Sequence, residues 1–362
     1  MFSIEMLPAG HGDCLWIEYG PRDALKRILI DGGTCGTYKR LKQRILALPE
    51  EDRKFELLIV THIDADHITG ALKLIEEDLT GLTFTDIWFN GWRHLPKSSL
   101  ESLGPVQGER LTTQLISQQW PWNHAFKGYA VIAETETDLQ EVVLEGGMRL
   151  TLLSPTAVEL KALKPVWIKE LKKAGLDPQE PSADEEDPNT LPSTLERLGA
   201  AELPDIDALA DTPYEPDHSE ANGSSIAVLA EYNGKSALFS GDAFPEVLKS
   251  SLERLYAKRN MDRLSLTAFK LPHHGSQANL NIELLEKIDC NRYLVSTNGA
   301  YHQHPDEATL AKVIKYGGPN PQILFNYSSE YNKIWSNPLL QAQYGFSTRY
   351  PEQDMGGLCI QL

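Results

Sequence analysis

The sequence has few cysteines and no long hydrophobic run, and both absences limit what the protein can be. Its cysteines among 362 residues are Cys14, Cys35, Cys290 and Cys359, and no two form a CxxC pair. This excludes a dense disulfide framework and indicates reduced thiols. No window approaches about eighteen consecutive apolar residues, so we expect no membrane-spanning helix and no membrane partner. Residues 1–13 lack a basic segment followed by an apolar one, so we expect no signal peptide and a cytoplasmic protein.

Positive charge is also scarce, since 34 Lys and Arg against 51 Asp and Glu give a formal net charge of −17. The deficit is local. Residues 176–217 contain thirteen Asp or Glu and one Arg, a net charge of −12, which leaves −5 for the rest of the chain. A surface of this sign as a whole repels nucleic acid. It does not exclude a polyanionic substrate that is held by metal ions.

The length allows one large domain or two ordinary ones. We predict a single domain over residues 1–362 with two insertions. Residues 91–128 contain several tryptophans among loop-forming residues, and they either shape a substrate pocket or pack over the edge of a sheet. Residues 176–217 are rich in proline and acidic residues, so we expect a poorly ordered excursion, or a lid that becomes ordered against a substrate or partner.

The densest group of potential metal ligands follows an apolar run. Residues 55–60 (FELLIV) are typical of a buried strand, and His62, Asp64, Asp66 and His67 follow directly. A helix-like segment comes next, so these side chains lie on a tight loop between the end of a strand and the start of a helix. Open α/β sheets present their sites at such loops, and a loop can direct alternate side chains toward two neighbouring metal ions. The alternative is a solvated acidic loop with incidental histidines.

Three later strand-like segments are each followed by polar side chains of the same kinds. Residues 226–240 form a hairpin around Asn233-Gly234, and residues 264–271 and 292–296 form further buried strands. The polar residues that follow these segments are, in order, Asp242; His273, His274 and Ser276; and Asn298, His302 and His304. The sequence therefore indicates several strand ends that each supply a part of one site.

The spacing His62-x-Asp64-x-Asp66-His67 resembles the His-x-His-x-Asp-His signature of the metallo-β-lactamase superfamily. Most members carry a second histidine at the position of Asp64. The same substitution, together with the His-His-Gly-Ser element at 273–276, is similar to the hydrolase domain of ComEC-type competence proteins. A Gly-x-Gly-Asp element at 10–13 and a strand ending in Asp-Gly-Gly at 31–33 follow the order of that family. The resemblance extends from Gly10 to about Pro305 and the helix that follows it.

This resemblance implies a fold of the α/β class, an αββα four-layer sandwich. Two mixed β-sheets would lie face to face, flanked by helices, with metal ions at one edge. It also implies two divalent metal ions with Asp242 bridging them, and Asp31 and Asp13 supporting the ligands without binding metal. The implied metal ligands are His62, Asp64, Asp66, His67, Asp242, His274 and His304. Which of His273, His274, His302 and His304 bind metal, and whether His218 or Asn222 joins the site, stays open.

The carboxylate of Asp64 shifts the site toward oxygen ligands, which suit manganese or magnesium better than a purely nitrogen site does. We therefore expect two ions, zinc or manganese, with magnesium as a further candidate. Two metal ions stabilise the attacking and leaving oxygens of a phosphodiester. Asp66, His273, His274 and His304 are the candidate catalytic residues. Ser276 and Asn298 are candidate hydrogen-bond donors to the substrate.

Three functions are compatible with these observations. The first is a metal-dependent phosphodiesterase, and the resemblance to the competence branch implies a nuclease of bacterial defence or DNA-processing type. The second is a hydrolase of cyclic nucleotides, esters or lactones. The third is a binding or regulatory module whose metal site is structural, within a multi-protein system. The expected partners are nucleic acid or a small phosphodiester, and a protein of a defence system.

Overall fold

The structure is a computed structural model that describes residues 1–95, 106–134, 138–174, 203–352 and 356–362, without the side chains of residues 168–174. The strands of the described chain are β1 (Phe2–Met6), β2 (Leu15–Tyr19), β3 (Lys26–Ile30), β4 (Lys54–Ile59), β5 (Thr83–Trp88), β6 (Glu141–Val143), β7 (Arg149–Ser154), β8 (Ala227–Tyr232), β9 (Lys235–Phe239), β10 (Leu264–Leu266), β11 (Ala268–Lys270), β12 (Ile288–Cys290), β13 (Arg292–Val295), β14 (Gln322–Phe325), β15 (Ser347–Arg349) and β16 (Leu358–Gln361).

The described residues form ten α-helices, and the longer ones bury apolar side chains. In chain order the helices are α1 (Tyr38–Leu46), α2 (Ala65–Glu77), α3 (Val106–Ser117), α4 (Ala157–Ala174), α5 (Ile206–Ala210), α6 (Glu220–Gly223), α7 (Pro245–Arg259), α8 (Ile282–Leu285), α9 (Glu307–Tyr316) and α10 (Pro338–Tyr344). None of the described helices is long and apolar enough to cross a membrane.

The strands form two large mixed sheets. The first has the order β16-β1-β2-β3-β4-β5, with β3, β4 and β5 parallel and the other pairs antiparallel. The second has the order β15-β14-β13-β11-β9-β8-β7-β6, parallel from β15 to β9 and antiparallel beyond. The parallel strands of each sheet thus end at a common edge, where their loops can converge.

Alternation along the strands gives the first sheet two buried faces. In β3, Ile28 faces the core between the two sheets, whereas Leu29 belongs to the core that the first sheet forms with α1 and α2. Leu57 and Leu58 of β4 divide in the same way. Leu252 of α7 and its neighbours pack against the outer face of the second sheet. The layers are helices, sheet, sheet, helices, which confirms the predicted αββα sandwich.

The two predicted insertions lie partly within the described residues. In the first, the buried indole of Trp122 donates to the Phe89 carbonyl at 2.8 Å, so this aromatic side chain packs against the end of β5. In the second, residues 176–202 lie outside the described residues. Residues 203–217 are described and include α5. Ile206 and Ala210 of α5 are buried against α9, and Asp205 caps the helix by accepting from the Ala208 amide.

Candidate metal centre

The predicted ligands meet at the edge where the parallel strands of both sheets end. The loop after β4 carries residues 62–67, and the loop after β9 carries Asp242. The loops after β11 and β13 carry residues 272–276 and 296–304. Residues 10–13, between β1 and β2, complete the rim. The topology therefore collects side chains that are far apart in the sequence.

Two overlapping groups of potential ligands share Asp242 and His67. In the first, the Asp242 Oδ2 atom lies 3.9 Å from His62 Nε2 and 3.5 Å from His67 Nε2. The Asp64 carboxylate lies beside this group, 3.6 Å from His62 Nε2, with its side chain 42% exposed. In the second, the Asp66 Oδ2 atom lies 3.6 Å from His67 Nε2 and 3.3 Å from His274 Nε2. Asp242 Oδ2 is 3.8 Å from His274 Nε2, so one carboxylate faces both groups.

The Nδ1 atoms of His67 and His274 donate hydrogen bonds. His67 Nδ1 donates to Asp31 Oδ2 at 2.9 Å, and His274 Nδ1 donates to the Ser296 carbonyl at 2.9 Å. Neutral rings held in this way carry their lone pairs on Nε2. These two Nε2 atoms lie 3.2 Å apart. Two lone pairs at this distance repel each other unless a cation lies with them.

His62 and His273 are oriented in the same sense. Thr61 Oγ1 donates its single proton to Asp31 Oδ2, so it accepts from His62 Nδ1 at 2.9 Å. His273 Nδ1 lies 2.8 Å from Asn279 Oδ1, an acceptor, and its Nε2 lies 3.8 Å from Asp242 Oδ2. Histidines that ligate metals commonly give their other nitrogen to such an acceptor, which fixes the ring.

The buried atoms of the centre fit divalent cations. His62 Nε2 and Asp242 Oδ1 are buried and have no hydrogen-bond partner among the described residues. Leaving both without a partner is unfavourable in a buried site. Imidazole nitrogens and carboxylate oxygens are the ligands of zinc and manganese. His62, Asp64 and Asp242 suit one ion, and Asp66, His67, His274 and the shared Asp242 suit another.

The pKa values of the buried histidines and carboxylates are shifted because opposite charges lie close together in the centre. Burial lowers the pKa of His274, whereas the carboxylates of Asp242 and Asp13 raise it, and the result is a pKa of about 9. Burial raises the pKa of Asp242, but the surrounding histidines, His67 first, hold it well below its usual value. Protons therefore bind where metal ions would, and metal binding must release them.

Asp31 and Asp13 lie behind the candidate ligands. Asp31 accepts from the Thr61 amide at 2.7 Å and from the Thr61 hydroxyl at 2.8 Å, in addition to His67. Asp13 Oδ1 lies 3.4 Å from His274 Nδ1, and its Oδ2 lies 2.8 Å from Lys270 Nζ. Each aspartate thus ties one ligand histidine to a different strand.

Three buried supporting residues were missed from the sequence. Lys270 pairs with Asp13, and a lysine within the apolar run AFKLP was a readable signal for it. Asn279 donates to Asp217 Oδ2 at 2.9 Å and to the Asp242 carbonyl at 3.1 Å. The Ser296 hydroxyl donates to the Gly12 carbonyl at 2.9 Å. The last two depend on long-range contacts that have no local sequence signature.

The remaining predicted histidines lie at the rim or away from the centre. The His304 ring centroid is 5.3 Å from that of His273, and its Nδ1 is 3.3 Å from Asp306 Oδ1. Among the described residues, His304 and His302 are outside the groups of converging ligands. His218 is exposed. Asn222 is buried and donates to Asp217 at 2.7 Å.

The two predicted substrate donors are already engaged locally. Ser276 is buried and its Oγ accepts from the Ala278 amide at 3.3 Å, which leaves its hydroxyl proton to donate. Asn298 Oδ1 accepts from the Ala300 amide at 2.9 Å, which leaves its side-chain NH₂ group to donate.

Glycines allow the loops of the centre to touch through their backbones. A Cβ on Gly70, in the first turns of α2, would lie 2.0 Å from the Gly32 carbonyl oxygen. A Cβ on Gly12 would lie 1.8 Å from the Asp66 carbonyl oxygen. Both distances are impossible for a real side chain, so only glycine permits this approach.

A comparison with sequence models of protein families finds a match to the N-terminal part of the chain. Residues 7–79 match the sequence model described as "Metallo-beta-lactamase superfamily". No curated protein matches the chain. The similarity to ComEC-type proteins in particular stays a prediction.

Several solved structures are similar at low identity. CmlA, a diiron beta-hydroxylase from Streptomyces venezuelae, is 13% identical with a TM-score of 0.41, and the match covers 100% of this chain and 54% of CmlA. The present chain thus spans about half the length of CmlA. Zn(2+)-bound PqqB from Methylobacterium extorquens is 12% identical with a TM-score of 0.41, over 99% of this chain and 100% of PqqB. A diphosphatase from the PhnP family is 10% identical with a TM-score of 0.38, over 99% and 98%.

The structure has two mixed sheets, flanking helices and the candidate ligand loops at one edge. The sequence match covers residues 7–79. That match contains Asp13, Asp31 and the loop from His62 to His67. The chain has the metallo-β-lactamase fold, and its N-terminal part matches the model of that superfamily.

Proposed function

We propose that this protein is a metal-dependent hydrolase of phosphodiester bonds, with nucleic acid as its leading substrate. The observation that carries the proposal is the position of the Asp242 carboxylate, whose Oδ2 atom lies 3.9 Å from His62 Nε2, 3.5 Å from His67 Nε2 and 3.8 Å from His274 Nε2. One carboxylate between two ligand groups is suited to a pair of ions. A pair of ions opposes the charge that builds on a phosphodiester during displacement.

The residues of the centre divide into ligands and groups that act on the substrate. His62, Asp64 and Asp242 would hold one divalent ion, and Asp66, His67, His274 and Asp242 the other. Zinc or manganese bound here would supply Lewis acidity and a nucleophile from water near neutral pH. Ser276 and the Asn298 amide would donate hydrogen bonds to the substrate.

His304 is the candidate for protonating the leaving group. Its Nδ1 faces the Asp306 carboxylate, and its ring lies beside His273 at the rim. A ring oriented by a carboxylate at Nδ1 presents Nε2 to the substrate and can give a proton from that atom to a departing alkoxide.

The test is hydrolysis by the full chain loaded with manganese, zinc or magnesium. The substrates are supercoiled plasmid, single-stranded nucleic acids, cyclic nucleotides, an aryl phosphodiester and a lactone. Asp66→Asn removes a ligand carboxylate at the start of α2, and Asp78→Asn, at the exposed end of the same helix, is the matched control. We expect metal-dependent nicking of plasmid by the wild type and by Asp78→Asn, and its loss in Asp66→Asn.

Turnover of only the cyclic nucleotides or the lactone would replace the nuclease with a small-molecule hydrolase. An absence of turnover on every substrate, with metal bound, would overturn the proposal. It would favour a binding module, or an enzyme that needs a protein partner.

A further inference from the structure

A row of aromatic rings beside the metal centre has no part in the chemistry proposed above. Tyr301 is 65% exposed, and its ring stacks on that of His11 with a centroid distance of 5.3 Å and an interplanar angle of 25°. The His302 ring meets the edge of Tyr301 at 4.4 Å. His302 lies 5.5 Å from His304 and 6.2 Å from His273 by ring centroids. The row therefore leads from the surface to His304 and His273 at the rim of the centre.

The loops that carry these rings are fixed to each other. The backbone N–H of Asn298 donates to the Gly10 carbonyl at 2.9 Å, which joins the loop of Tyr301 to the loop of His11. The Gln303 amide donates to the Gly299 carbonyl at 3.0 Å and closes the tip of the loop. Gly299 has φ +77°, and a Cβ there would lie 2.3 Å from the Tyr331 ring, so Tyr331 supports the loop from below. Tyr301 is thus held in place before any ligand binds.

We propose that Tyr301, supported by His11, is a stacking subsite for a nucleobase of the substrate. A large aromatic side chain on a braced loop is preorganised, so a ligand that stacks on it pays little conformational entropy on binding. Base stacking on aromatic side chains occurs with any base, because every base has a π-face. The proposal rests on the proposed function and narrows it to diesters that carry a nucleoside.

The test compares two diesters with the same leaving group. Thymidine 5′-(p-nitrophenyl phosphate) and methyl p-nitrophenyl phosphate differ only in the nucleoside. We expect wild-type kcat/KM to favour the thymidine diester, and Tyr301→Ala to lower that preference by about tenfold or more. Tyr301→Phe keeps the ring and should keep the preference. Tyr129→Ala is the matched control, because Tyr129 is 74% exposed and lines a separate cavity with Arg93 and Lys127.

A second measurement does not depend on turnover. Calorimetry compares the binding of thymidine 5′-monophosphate with that of deoxyribose 5-phosphate, in the wild type and in Tyr301→Ala. We expect tighter binding of the nucleotide, and a loss of that difference in the variant.

Equal kcat/KM for the two diesters in the wild type, or an unchanged preference in Tyr301→Ala, would overturn the subsite and leave the phosphodiesterase standing. If neither diester is hydrolysed with metal bound, the proposed function fails and calorimetry decides on the subsite alone. Nucleotide binding that is tighter than sugar phosphate binding and depends on Tyr301 would support it. Equal binding of the two compounds would reject it.

Discussion

Lys270 Nζ lies 2.8 Å from Asp13 Oδ2, with the lysine side chain 0% and the aspartate side chain 2% exposed. The other oxygen of Asp13 faces His274. The pair therefore connects β11, in the second sheet, to a loop of the first sheet and to a ligand of the metal centre. A buried ion pair contributes little net stability, but removing one partner leaves an uncompensated charge in the interior.

We predict that Lys270→Met lowers the free energy of unfolding by about 3–5 kcal/mol, because Asp13 then stays buried without its ammonium partner. Urea unfolding followed by circular dichroism measures the change. Asp13→Asn and the double variant Lys270→Met/Asp13→Asn complete a double-mutant cycle. The double variant should be more stable than the sum of the single losses implies, and simple additivity would contradict a coupled pair.

Asp242 is predicted to control the binding of both ions, because its carboxylate faces both ligand groups. Asp242→Asn should reduce bound metal from about two equivalents to less than one. Elemental analysis after reloading with manganese or zinc and exhaustive dialysis gives the stoichiometry. Asp78→Asn, on the exposed end of α2, should bind as much metal as the wild type. Full retention of metal in Asp242→Asn would remove Asp242 from the site.

His304 is predicted to matter most for poor leaving groups. His304→Ala should slow the cleavage of alkyl phosphodiesters by about 100-fold or more, since an alkoxide must be protonated as it departs. Cleavage of a p-nitrophenyl diester, whose phenolate leaves unprotonated, should fall much less. The ratio of the two rates is the measurement, and His218→Ala at an exposed position is the control. An equal loss on both substrates would point to a binding role.

His94 is predicted to destabilise the protein in acid. Burial first, and the neighbouring Arg93 second, lower the pKa of His94 from 6.5 to about 4, and its Nδ1 accepts from the Gly91 amide at 3.2 Å. The unfolded chain therefore binds this proton first as the pH falls. Stability is fully present above pH 6.5 and is lost between about 6.5 and 4, up to about 3 kcal/mol.

The test for His94 is a set of urea unfolding curves at several pH values. His94→Asn keeps an acceptor for the Gly91 amide and should flatten the acid decline by this amount. His124→Asn, at an exposed position, should leave the decline unchanged. Parallel curves for the wild type and His94→Asn would contradict the prediction.

The loops of the candidate metal centre were predictable because their signals are local. An apolar run followed within a few residues by His62, or by His274, reports both the strand and the side chains at its end. Asp242 was found in the same way, after a hairpin with an Asn-Gly turn. The support behind these ligands was harder to predict, because it depends on which strands are neighbours. Lys270 meets Asp13 only because the two sheets place their loops together at one edge.

The C-terminal part shows the same limit. Residues 309–362 carry no motif, yet β14 and β15 extend the second sheet and β16 pairs with β1 at the edge of the first. Short strands such as Ser347–Arg349 have too few residues for a period to be read. The short helix α5 was also missed, because the acidic composition around it concealed Ile206 and Ala210, which are spaced to bury one face.

At Gly32 and Gly70 two segments of the main chain are in direct contact, with no side chain between them. This backbone contact holds α2 on the first sheet, together with the hydrogen bond from His67 Nδ1 to Asp31 Oδ2. The carboxylate of Asp66 takes no part in these two contacts, so we expect its replacement to leave the helix in place. The helix should therefore keep its position in Asp66→Asn. A loss of activity in that variant then reports the missing ligand and not a displaced helix.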